Sequence, residues 1–223
     1  MSGLLSRIHR RWQTDGPIGV FNALGRRCYR SNSAIWFQRG LLAPLADSPA
    51  LLPVQVMLDR SAETLAYLRA QSHVAPELEL AEQEGHLLPH ALHQGQIVGV
   101  LKIGYPRVYI TDYWRILTLP PGIAFLYDSY VAPELRGQRI LGQMVTEAMT
   151  ELRRRGLTHL LCHIPAWNLA SQKAYRRCGF EPIGQIAYRR VLGVSIFLPF
   201  HPRKLLARMS THAQQQSTTI TQS

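Results

Sequence analysis

The chain has 223 residues, 46% of them hydrophobic and 17% charged, with a formal net charge of +11. That length suits one domain of ordinary size with additions, and the apolar fraction is that of a folded globular chain. No run approaches the roughly 20 apolar residues of a membrane span, and Met1 to Trp12 lacks the apolar core of a signal peptide. Three cysteines (Cys28, Cys162 and Cys178) form an odd, sparse set without metal-ligand spacing, so a reduced, cytoplasmic compartment is expected. The nine histidines show no clustered ligand pattern, and no metal site is expected.

Residues 1–52 read as a basic, helical N-terminal extension. Arg7, Arg10, Arg11, Arg26, Arg27, Arg30 and Arg39 face only Asp15 and Asp47, a net of +5. Leu4, Leu5, Ile8 and Trp12 make one helical face, and Ile18, Phe21 and Leu24 with Cys28 or Tyr29 another. Trp36, Phe37, Leu41 and Leu42 form an apolar patch. Two readings compete. The segment packs its apolar faces on the core and leaves the arginines solvated, or it lies on an anionic surface, peripheral at the inner membrane, or grips an acidic partner. Basicity alone is a nonspecific footprint and no reader motif is present, so no nucleic-acid partner is expected.

The core is read as 53–202. Pro53 to Leu58 is its first strand. Ser61 caps a helix carrying Leu65 and Leu68, and Pro76 begins a second helix. That second helix gathers Glu77, Glu79, Glu82 and Glu84, which read first as a solvated acidic face. Leu88 to His93 and Ile97 to Ile103 flank Gln94-Gly95-Gln96, a hairpin signal. Tyr105 to Gly122 is aromatic and broken by prolines, and reads as an extension of the strand followed by a long loop. Its Tyr105, Tyr109, Tyr113 and Trp114 either wall a pocket or cover a sheet edge.

The stretch from Ala124 to Gly184 carries the strongest pattern. Phe125 to Val131 is rich in aromatic and β-branched residues and is stopped by Ala132-Pro133, so it is a strand. After the turn Glu134 to Arg139, apolar residues at Ile140, Leu141, Met144, Val145, Ala148, Met149 and Leu152 put one helical stripe against a core. Arg153 to Arg155 suit the negative end of that helix, and Gly156 ends it. Leu160 to Ile164 is a second strand, parallel to the first because a helix crosses between them. Asn168 caps another helix, closed at Gly179 before a strand from Phe180. Strand, glycine-containing turn and helix make an anion site: the first helical N–H groups lack partners and point at the turn, and Arg136 and Arg139 add full charges. A phosphate or pyrophosphate is its natural guest. Beyond Gly184, two further segments form an antiparallel pair turning near Gly193. Residues 203–223 are a polar tail predicted to be disordered.

Two motifs in this stretch resemble the GNAT superfamily of acyl-CoA-dependent N-acyltransferases. Val131 to Gly142 (VAPELRGQRILG) is similar to the family's pyrophosphate-binding turn, and Asn168 to Phe180 (NLASQKAYRRCGF) to its Asn…Ser…Tyr…Gly-Phe element. The first departs from the pattern, with Arg139 where a second glycine is usual and Leu141 where Gly or Ala is usual. The resemblance implies an α/β (α+β) fold: a mixed, mostly antiparallel sheet of six to seven strands with a central splayed parallel pair, flanked by helices. It implies acetyl-CoA as acyl-donor substrate and a small-molecule or peptide amine as acceptor. A longer acyl-CoA or an acyl carrier protein docking on residues 1–52, in envelope or polysaccharide metabolism, a noncatalytic CoA-sensing or membrane-docking module, and a homodimer stay open. By the same resemblance, Val131 offers the oxyanion N–H, and Arg136, Gly137, Gln138, Arg139, Ile140, Leu141 and Gly142 hold the pyrophosphate. Asn168 and Ser171 contact the pantetheine arm or acceptor region, and Tyr175 is the general acid. The acidic second helix would then help attract a cationic amine. Asp128, three residues before Val131, is the first candidate for general base, and His163 the second.

Overall fold

The computed structural model describes residues 29–43, 49–71, 75–113, 115–191, 194–198 and 206. The helical faces expected between Leu4 and Cys28 lie outside these residues, as does Trp114.

The first element among the described residues is strand β1 (Tyr29–Gly40), which runs between two other strands of one large sheet. For residues 29–40 this corrects the expectation of a helical extension outside the core. Trp36 and Phe37 are both 0% exposed, and because neighbouring strand residues point to opposite faces, they enter two different cores. Trp36 packs with Phe125 and Leu161 below the sheet, and Phe37 with Met144 and Leu160 above it. A strand buried on both faces shows no polar alternation, so its period of two is hidden in the sequence.

Strand β2 (Gln55–Met57) follows, then helix α1 (Ala62–Gln71), whose first turn is capped by Ser61 Oγ accepting from Thr64 N at 3.2 Å. Helix α2 (Ala75–Gln83) takes Pro76 in its first turn. Strands β3 (His90–His93) and β4 (Gln96–Gly104) form the expected hairpin, with Gln94 at φ 51° and Gly95 at φ 75°. The region expected to be a long loop is instead a two-stranded hairpin, β5 (Arg107–Ile110) and β6 (Arg115–Thr118). Its Val108, Ile110 and Leu117 are at most 1% exposed and cover the face of the sheet that holds Trp36.

Strand β7 (Ile123–Val131), helix α3 (Ile140–Arg154), strand β8 (His159–Pro165), helix α4 (Leu169–Arg177) and strands β9 (Glu181–Val191) and β10 (Val194–Leu198) complete the order. The sheet runs β10-β9-β1-β8-β7-β4-β3-β2, antiparallel throughout except for β7 and β8. This is the mixed architecture with one parallel pair that the sequence implied, widened to eight strands by β1. Helix α3 seats Met144, Val145, Met149 and Leu152, each at most 1% exposed, on the face opposite the hairpin. Each such side chain contributes about 1.5–3 kcal/mol by burial. Leu206, within the segment expected to be a disordered tail, is helical and 3% exposed against the Trp36 core, so that expectation fails there; residues 203–205 and 207–223 lie outside the described residues.

Two features of β7 prepare a site. Its parallel pairing with β8 stops at Leu126 opposite Cys162, although β7 continues to Val131 and β8 to Pro165. On its other edge the register with β4 slips between Lys102–Asp128 and Ile103–Leu126, leaving Tyr127 as the extra residue. Such a bulge bends its strand. Beyond Leu126 the two central strands therefore part, and a gap opens through the sheet.

Candidate active site

The gap is a cavity of about 410 Å³. Side chains from both faces of the sheet meet in it because no ladder closes it. From one side come Asn168, Ser171 and Tyr175 of the α4 region; from the other come Lys102, Asp128, His163, Glu77 of α2 and Asp112 of the β5–β6 turn. Residues far apart in sequence, the three expected catalytic ones among them, thus line one space.

The turn after β7 sits beside it. Gly137 has φ 86°, which L side chains rarely adopt, and no heavy atom lies within 4 Å of where a Cβ would stand, so its backbone is open to a ligand's approach. Arg139 caps α3 in the left-handed region at φ 61°, ψ 15°. That geometry explains why a glycine is usual there; an arginine bears the strain, of order 1–2 kcal/mol, and brings a charge. Ile140 is 1% exposed and Leu141 packs partly buried on the same core. Their side chains belong to the fold, while the N–H groups of Ile140, Leu141 and Gly142, in the first turn of α3, have no intrahelical acceptor. The Gln138 N–H donates to Leu135 O at 3.4 Å and its carbonyl accepts from Leu51 N at 2.9 Å. Leu51 and Ala50, whose N–H donates to Gln143 Oε1 at 3.2 Å, brace the turn.

Arg136 Nε donates to Val131 O at 3.3 Å, holding the guanidinium at the end of β7. Ala132 N–H donates to Val98 O at 2.8 Å, toward β4. Adjacent N–H groups of an extended strand point to opposite edges, so the Val131 N–H points into the gap left by β8.

Helix α4 begins at Asn168, whose Oδ1 accepts from Ser171 N at 3.1 Å. Gln172 Nε2 ties the same helix to Ala166 O at 2.9 Å. Tyr175, 3% exposed, rests edge-on against Phe180 with ring centres 5.3 Å apart. Burial pushes its phenol well above the ordinary value, and nearby Cys162 adds to this; a hydrogen bond with the Ser129 side chain opposes it. The phenol is therefore protonated at any physiological pH. Ser129 links this buried hydroxyl to the cavity wall.

The other side of the cavity is a charge network. Lys102 Nζ lies 2.6 Å from Glu77 Oε1 and 3.0 Å from Asp128 Oδ2, and Thr111 Oγ1 donates to Glu77 Oε2 at 2.8 Å. Burial works against the Lys102 ammonium, but the carboxylates of Asp128 and Glu77 outweigh it and hold the group above its ordinary value. Asp128 is thus paired, and its side chain is 51% exposed. The acidic helix divides its roles: Glu77 enters the cavity, Glu82 pairs with Arg69 at 2.7 Å, Glu84 pairs with Arg107, and Glu79 is exposed. His163 Nε2 lies 3.1 Å from Asp112 Oδ2. Lys102 and Asp112 were missed as site residues, and Glu77 was singled out only with its acidic helix, because each is brought there by pairing or packing across 25 to 51 positions. The bulge at Tyr127, which sets Lys102 opposite Asp128, leaves no mark in the sequence.

Residues 56–180 match the model of the acetyltransferase (GNAT) family, more than half of the chain. Among solved structures, a GCN5-related N-acetyltransferase from Sphaerobacter thermophilus superposes with a TM-score of 0.54 at 15% identity, covering 79% of this chain and 57% of that one. A protein from Drosophila superposes with a TM-score of 0.50 at 14% identity, covering 82% of this chain and 58% of that one. The chain spans less than three fifths of the length of either structure, and identities this low speak to the fold alone. Comparison with curated protein sequences gives no match. No helix among the described residues is long and apolar enough to cross a membrane. The matched span runs through the splayed pair, the turn at Gly137 and the Tyr175 helix, and the chain belongs to the acetyltransferase (GNAT) family.

Proposed function

We propose that the protein transfers an acetyl group from acetyl-CoA directly to the amine of a small-molecule or peptide acceptor. The observation that carries this reading is Tyr175, a buried and protonated phenol beside a gap between parallel strands. A thiolate leaving into that gap needs a proton, and a phenol kept neutral by burial is a suitable donor. The open turn at Gly137, with the first N–H groups of α3 and the charges of Arg136 and Arg139, suits the pyrophosphate of the donor. The Val131 N–H is aimed to meet an oxyanion as the carbonyl becomes tetrahedral. Two groups are candidates for receiving the amine proton, Asp128 and His163, which line the same cavity.

Direct transfer is favoured over an acyl-enzyme because the described thiols are poor nucleophiles. Burial raises Cys162 well above its ordinary value and Cys178 to about 11. The test is Tyr175→Phe, assayed for acetyl-CoA binding by calorimetry and for turnover by thiol release across pH. Retained binding with turnover reduced about 100-fold is expected for loss of a general acid. Unchanged turnover at every pH removes the assignment, and an acetylated protein mass after incubation with acetyl-CoA alone removes direct transfer.

A further inference from the structure

We infer that Ser129 is the positioning residue of the Tyr175 acid: its hydroxyl donates to the phenol oxygen, leaves the phenol's own O–H for the departing sulfur, and holds the phenolate that remains. This rests on the acyl-transfer reading above. The bulge at Tyr127 brings the two hydroxyls together. Leu126 packs in the same core as Tyr175, and strict alternation from it would put Asp128 on that face and Ser129 on the other. The extra residue inverts the order. Tyr127 packs against the Trp36 core, Asp128 reaches Lys102, and Ser129 falls opposite Leu101, a member of the core that holds Tyr175. Directly opposed strand residues share a face. Val131, two residues on, packs against that same core.

The cavity thus has two unlike walls. Carboxylates and Lys102 make one, while Ser129, Tyr175, Asn168 and Ser171 make an uncharged one of hydroxyls and an amide. The Ser129 and Tyr175 side chains are hydrogen-bonded; Ser129 is exposed and the phenol closed in, so the pair has one end open to the cavity. The Cys162 and Cys178 thiols near the phenol are weak donors, and the Phe180 ring is none. A phenol has one proton to give. If that proton is to reach sulfur, the partner hydroxyl must donate rather than accept. A buried phenolate can only accept, and an anion left there without a donor is strongly disfavoured. Ser129 supplies the donor before and after the transfer.

The proton count closes. The neutral amine nitrogen attacks the thioester carbon and gives one proton to the general base. The tetrahedral intermediate collapses, the C–S bond breaks with its electron pair on sulfur, and sulfur takes the Tyr175 proton. Ser129 then passes its own proton to the phenolate and takes one from cavity water, which receives the base's proton in turn. Amide, thiol and the resting enzyme remain.

The full chain, with its tyrosines labelled with ¹³C at Cζ, is compared by NMR with Tyr175→Phe to assign the Tyr175 signal. Ser129→Ala is expected to shift that signal, and an unmoved signal overturns the proposal. With acetyl-CoA and the fastest of a panel of small primary amines, Ser129→Ala is expected to lower kcat by about 10- to 100-fold, as loss of one hydrogen bond to a charged oxygen requires. Acetyl-CoA affinity and acceptor KM stay as in the wild type, and Ser129→Thr, which keeps the hydroxyl, retains most of the rate. In a Tyr175→Phe background Ser129→Ala is expected to cost nothing further, because no phenol is left to position. Undiminished kcat in Ser129→Ala, or a full further loss in that background, overturns the proposal. Undiminished turnover by Tyr175→Phe, or failure of the wild type to bind acetyl-CoA, overturns the parent reading instead, so the two are distinguishable.

Discussion

Replacing Lys102 by Met removes the ammonium between Glu77 and Asp128 while keeping most of the side-chain volume. Asp128 is half-exposed and can be rehydrated, but the Lys102 and Glu77 side chains are 11% and 10% exposed. Breaking a pair so buried costs about 3–5 kcal/mol, where an exposed pair is worth about 0–1 kcal/mol. Thr111 still donates to Glu77 at 2.8 Å, which places the expected loss near the lower end, about 3 kcal/mol. At roughly 2–4 °C per kcal/mol for a chain of this size, Tm falls by about 6–12 °C. Lys102 is held above its ordinary value of 10.5 in the folded state. Its contribution is therefore complete below that ordinary value and lost only as pH rises through the higher folded one, so the loss on mutation is level from pH 6 to 9. Urea unfolding, followed by circular dichroism and tryptophan fluorescence, measures it. The double variant Glu77→Gln/Lys102→Met no longer strands a charge and recovers most of the loss, giving a coupling near 2 kcal/mol. A loss under 1 kcal/mol from the single variant, or additive losses in the double, would refute the reasoning.

Gly179→Ala is expected to destabilise by more than about 2 kcal/mol, read from urea midpoints, because Gly179 has φ 79° and a Cβ there would fall 1.3 Å from the Arg39 guanidinium. A neutral result would show that Arg39 moves aside freely. Arg139→Gly relieves the left-handed cap and is expected to raise stability by up to about 1 kcal/mol while weakening acetyl-CoA binding through the lost charge. Tighter binding on calorimetry would mean the strain, not the charge, governs the turn. Cys178, with its thiol near 11, is about 0.1% thiolate at pH 8, and Cys162 less. Neither is expected to be alkylated by iodoacetamide in the folded protein at that pH, and rapid labelling of either, located by peptide mass spectrometry, would contradict their burial.

The local devices were legible in the sequence. Ser61, Pro76, Gln94-Gly95, Gly156 and Asn168 each announce a cap or turn through their own chemistry, and the α3 stripe announces a core face. What failed to show is what depends on partners. Strand β1 was hidden because Trp36 and Phe37 are buried on opposite faces, so the segment shows an apolar patch without alternation. The β5–β6 hairpin was hidden by its aromatics, prolines and polar turn, which read equally as a loop. Asp112, Lys102 and Glu77 are ordinary charged residues until the bulge, the hairpin and α2 bring them to one cavity. Tyr175 and the Gly137 turn were legible because each lies in a motif that is contiguous in sequence; the groups facing the acceptor come from five separate elements and turns.

Calorimetric titration of the full chain with acetyl-CoA, beside a Gly137→Pro variant of matched circular dichroism, tests the central claim most directly. Gly137 requires φ 86°, and proline is fixed near −65°, so the variant cannot form the turn. Binding on the order of 1 μM by the wild type, lost in the variant, is the predicted result. No binding by the wild type, or equal binding by both, would contradict the assignment of this turn and gap as the acetyl-CoA site.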